Sequence, residues 1–111
     1  MTVRGRLLGT GVAGVLTANA LPHLATAAAG RTMMTPLGGK GSGTGPNLLW
    51  GCMNLAAGIA LAGRSGRRDR DWSRHVTALT VGAAVFLSWA AVAEGVLHLN
   101  APEKRRASRR R

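Results

Sequence analysis

Three long stretches of this chain, Leu7 to Ala29, Asn47 to Gly63 and His75 to Leu99, share a single charged side chain, Glu94. All 15 lysines and arginines lie outside them. A chain that is 17% charged yet segregates its charge this sharply is divided between two solvents. Hydrocarbon offers backbone groups no partner, so each uncharged stretch is expected to be a helix whose hydrogen bonds close within itself. The expected fold is all-α: an integral membrane bundle of about three transmembrane helices, near 7–29, 47–63 and 75–99, in one membrane domain over residues 1–100.

At a rise of about 1.5 Å per residue, the outer two stretches reach roughly 35 Å, enough to cross with tilt. The middle one reaches only about 25 Å. It would cross with help from Pro46 and from Trp50 at an interface, or by thinning the bilayer. All three are richer in Ala and Gly than in Leu, which favours a bundle over isolated spans. The first stretch has a rival reading as a cleavable signal peptide, with a basic start at Arg4 and Arg6 and a small-residue run at Ala25 to Ala29. Its length, and its interruption by Asn19, Pro22 and His23, speak against cleavage. Pro22 can kink its far end.

Residues 30–46 are so rich in glycine that a flexible connector is expected, with neither helix nor strand. Residues 64–74 read as a short basic loop, where Asp71 can cap the third helix and Trp72 suits an interface. Residues 101–111 form a basic tail too charged and too short to fold. The tail should bind anionic lipid headgroups, at about 1 kcal/mol per basic residue near the surface. Charge without aromatic interleaving or a folded motif gives no reason to expect nucleic acid as a partner. The single cysteine, Cys52, excludes an internal disulfide and reads as packing.

Small residues recur at helical spacing. Gly5, Gly9 and Ala13 share a face of the first helix, and Asn47, Gly51, Asn54 and Gly58 share a face of the second. Such stripes let helices approach closely, so Gly9, Gly51 and Gly58 are the expected packing positions.

Three successive crossings alternate in direction, so the end of the first, the start of the second and the end of the third meet in one leaflet. Counting inward at about 1.5 Å per residue puts His23, Asn54 and Glu94 roughly 8 to 10 Å deep. Asn19 and His98 sit one turn from His23 and Glu94. The five residues Asn19, His23, Asn54, Glu94 and His98 therefore form a candidate intramembrane polar cluster. An ionisable group within a span normally faces a partner or a wet cavity. Two roles follow, a clamp that fixes helix packing or a proton- or ion-coupled carrier or pore using Glu94, His23 and Asn54. No spacing here is a recognised metal-ligand signature, and no cofactor or catalytic motif is present, so no enzymatic activity is expected. A holin-like lesion-former, short and basic-tailed, is a further alternative. His75, at the opposite leaflet, reads as interfacial.

The distribution of basic residues does not fix orientation. Seven (Arg4, Arg6 and five between Arg64 and Arg74) fall on one side and eight (Arg31, Lys40 and six in the tail) on the other. The density of the tail favours a cytoplasmic C-terminus.

One resemblance covers about a third of the chain. Asn19-Ala-Leu-Pro22-His23, Gly30, Thr35-Pro36, Gly39-Lys40-Gly41, and Asn47-Leu-Leu-Trp50-Gly51 with Asn54 and Gly58 follow in that order. In this the chain resembles a group of small, uncharacterised bacterial multi-pass membrane proteins. It departs from that group at Leu24 and Leu37, where an aromatic is usual, and at Gly38-Gly39, where prolines are usual. The resemblance implies membrane residence and a retained first segment, and it implies no activity. The partners expected are the bilayer itself and a second copy or another membrane protein, met through helix contacts.

Overall fold

A computed structural model describes residues 2–67 and 70–100. The chain forms three helices, α1 Val3–Ala28, α2 Thr44–Gly66 and α3 Trp72–Val92, the last continued by a π-helical turn over Ala93–Leu97. Among the described residues there is no β-strand. Two of the rods, Val3–Ala28 and Trp72–Leu97, are long and apolar enough to cross a membrane. Arg68 and the basic tail from Lys104 to Arg111 lie outside the described residues.

The helix ends follow from local chemistry. Thr2 Oγ1 accepts the Gly5 N–H at 3.1 Å, and the Asp71 carboxylate accepts the Arg74 N–H at 3.3 Å, satisfying donors that a first turn leaves open. α1 stops at Gly30, whose φ of +64° is open to a residue without a Cβ. There the Gly30 N–H returns to the Ala27 carbonyl and the Arg31 N–H to that of Thr26, the paired closure of a Schellman end. α2 is longer than its uncharged stretch. Its 23 residues reach about 35 Å, because Pro46 is tolerated in a first turn and Arg64 suits a last one. Arg64, expected in the basic connection, lies within α2, and Trp72 and Arg74 lie within α3. α1 continues through Pro22 without a break.

α1 is the central helix. It packs against both α2 and α3, which make little contact with each other. Toward α2, Gly58 lies so close that a Cβ there would sit 2.5 Å from Thr17 Oγ1, and one on Gly51 would sit 2.8 Å from Leu24. Gly9 lies against Ser65 in the same interface. Toward α3, Gly14 packs on the Leu79 carbonyl and Gly82 on the Gly11 carbonyl. Gly14 and Gly82 carry the α1–α3 contact, and the stripes picked out in the sequence do not include them.

The interior inverts what water selects. The buried apolar residues are all alanines (Ala13, Ala18, Ala20, Ala27 and Ala93), accompanied by buried Thr10, His23, Asn47, Asn54, Ser65 and His75. Leucine, valine, isoleucine and tryptophan face outward along every helix, as at Leu8, Ile59, Val85 and Trp89. Cys52 is also exposed and lies outside the buried interior, contrary to its reading from sequence as a packing residue.

Candidate functional site

The polar residues gather where α1 ends and α2 begins, and Asn47 is their hub. Its side chain is fully buried. Nδ2 lies within 2.8 to 3.1 Å of the carbonyls of Met33, Ser42 and Gly43. With the amide nitrogen turned to those three acceptors, Oδ1 points to His23 Nδ1 at 2.7 Å. An amide oxygen only accepts, so the His23 proton must sit on Nδ1 in this pair. One turn deeper, Asn19 Nδ2 donates to Asn54 Oδ1 at 3.1 Å, and Asn54 Nδ2 returns to the Trp50 carbonyl at 2.8 Å. Both pairs join α1 to α2.

The glycine-rich connection is folded, not free. Met33 N–H donates to the Ser42 carbonyl, and Thr35 and Gly39 exchange both backbone bonds. Thr35 Oγ1 accepts the Gly38 N–H at 3.0 Å and meets Ser42 Oγ at 3.0 Å, with both side chains buried. Gly39 and Gly41 hold φ of +71° and +73°, which flanks Lys40 with backbone that favours glycine. High glycine content suggested flexibility because composition does not reveal which glycines have a fixed turn to make. Asn19, His23, Gly30, Thr35, Gly39, Gly41, Asn47 and Asn54 are the side chains and turns that tie this knot.

Glu94 and His98 stand apart from it. Glu94 accepts from the Asn100 backbone N–H at 3.0 Å and from Asn100 Nδ2 at 2.7 Å. Asn100 Oδ1 in turn accepts the Met34 N–H at 2.7 Å, fastening the end of α3 to the connection. A regular helix would stack His98 one turn above Glu94. The π-helical turn changes that spacing, and His98 leaves the helix at φ +50° and is exposed. The five-residue cluster thus resolves into an α1–α2 set at Asn19, Asn54 and His23 and a separate Glu94–Asn100 clasp. Asn47 and Asn100, absent from the cluster read in the sequence, are the residues that organise the two halves. Asn47 was visible as a member of the α2 stripe, and Asn100 carried no signal.

A second polar pair sits at the opposite end. His75 is buried, with Nδ1 at 2.6 Å from Thr10 Oγ1, and the same hydroxyl donates back to the Arg6 carbonyl. His75 therefore joins α1 to α3. Among the described residues no group of three or more His, Cys, Asp or Glu is arranged to hold a metal. Known protein families, curated proteins and solved structures provide no match to this chain.

Proposed function

We propose that the chain is a multi-pass protein of the cell membrane, crossing three times through α1, α2 and α3, with a structural or accessory role exercised through helix contacts. The observation that supports this most is the inverted distribution of side chains. A folded chain in water does not expose bulky aliphatic and indole groups along three helices while burying amides, imidazoles and glycine. In lipid that distribution is the stable one, because close approach and interhelical hydrogen bonds hold helices together there. Two hydroxyls on the outer face of α3 fit the same solvent. Thr77 and Thr80 donate to the carbonyls four residues back, at 3.0 and 2.8 Å, which satisfies both donors within the helix.

α1 belongs to the mature bundle in this reading, since its removal would strip both other helices of their main partner. The carrier reading needed Glu94 beside His23, and the two residues have different partners. The polar pairs are better described as clamps. Partners would be lipid, including anionic headgroups at the basic tail, and a second copy or another membrane protein.

Topology reporters test the third crossing. A reporter inserted at Lys40 and one placed after Arg111 should report the same side, the cytoplasmic one, and a reporter at Arg70 the opposite side. Lys40 and Arg70 on one side would mean that α2 does not cross.

A further inference from the structure

Between α1 and α3 runs a groove of about 540 Å³ whose lining is almost wholly apolar and includes none of the clamp residues. It exists because its floor is Gly11, Ala78 and Gly82, while the branched side chains of Val12 and Val85 stand at its rims. Arg4 marks one end and Val15 the other. Eleven residues of α1 separate them, about 16 Å, which is close to half of a hydrocarbon core of about 30 Å. The groove therefore has the length of one leaflet, with a cation at its surface end. Arg64, Arg67, Arg70 and Arg74 are exposed at the same end of the bundle, where Asp71 pairs with Arg74 at 2.8 Å.

We infer that this groove is a phospholipid site. One acyl chain of an anionic phospholipid lies over Gly11 and Gly82, and the lipid phosphate pairs with Arg4. A helix from a second copy fits the shape less well. It would have to bring an anion to Arg4, and of the described acids Asp71 is already paired with its own Arg74 while Glu94 is held by Asn100 at the far end. The inference rests on the membrane reading above.

The test uses the full chain in a mild nonionic detergent, offered equal amounts of phosphatidylglycerol and phosphatidylcholine with identical acyl chains. Retained lipid is read by native mass spectrometry. One phosphatidylglycerol per chain should be kept in preference to phosphatidylcholine. Arg4→Gln should lower that preference about fivefold, the share of one basic residue near a surface. Val12→Trp, which fills the groove from its exposed rim, should displace lipid of both kinds, and Ile59→Trp on the outer face of α2 should displace neither. Equal retention of the two lipids, or a preference indifferent to Arg4→Gln, would overturn the assignment. So would a dimer that Val12→Trp dissolves, since the occupant would then be a second copy. Recovery of the chain from water without detergent would remove the membrane reading and this site with it, before any lipid is added.

Discussion

In an Asn47→Ala variant, trypsin should cut after Lys40 about a hundred times faster than in the parent chain. Lys40 is exposed, but it lies in a turn closed by Thr35, Gly39 and Ser42, and a protease needs that backbone extended. Cleavage then follows the population of the opened connection. Asn47 holds the connection closed through three carbonyls and steadies His23 at the same time. Losing buried partners of this kind costs about 3 kcal/mol, which corresponds to two decades in the opening equilibrium. Asn47→Asp separates donors from size. It keeps an acceptor for His23 but turns a carboxylate toward the three carbonyls, so it should cut at least as fast as the alanine variant. His23→Ala removes the acceptor side alone and should cut more slowly than either. Equal cleavage in all four proteins would mean that Asn47 is not the hub of the knot.

Two glycine-to-alanine changes should move stability in opposite directions. At Gly82 a Cβ falls on the Gly11 carbonyl oxygen, a backbone atom that cannot rotate away, so α3 must separate from α1. Overpacking of that kind costs about 1 to 3 kcal/mol, and here it strikes the interface that holds α3. Gly63 is helical with nothing within contact of a new Cβ, and alanine there should stabilise α2 by up to about 1 kcal/mol. Thermal unfolding in one detergent should place Gly82→Ala well below the parent chain and Gly63→Ala at or above it. A Gly82→Ala protein as stable as the parent would remove the close α1–α3 crossing.

Helical periodicity carried much of this arrangement in plain view. Three uncharged stretches correspond to three helices, and the face of Asn47, Gly51, Asn54 and Gly58 is buried on α1. What stayed hidden depended on backbone detail that side-chain patterns do not encode. The π-helical turn at Ala93–Leu97 and the left-handed His98 dissolved an expected i, i+4 pair, and they handed Glu94 to Asn100. The α1–α3 crossing was hidden for another reason. Gly14 and Gly82 lie on small-residue faces, Thr10, Gly14 and Ala18 on α1 and Ala78 and Gly82 on α3, but spacing alone does not say which face meets which helix, and the parallel course of the two helices brings these two onto backbone. The sequence around His75 gave it no partner, yet it meets Thr10 inside the bundle. Glycine at 30, 39 and 41 looked like freedom and is geometry.

The most direct test of the account uses the chain's own thiol. Cys52 is exposed on α2, about 12 Å along the helix from Thr44. If the outer faces lie in lipid, a charged, water-soluble maleimide should leave Cys52 unmodified in membranes opened on both sides, because a thiol in hydrocarbon does not form the reactive thiolate. The same reagent should modify it fully once sodium dodecyl sulfate is added. Rapid modification in the intact bilayer would show that this face meets water, and it would contradict the three-span arrangement.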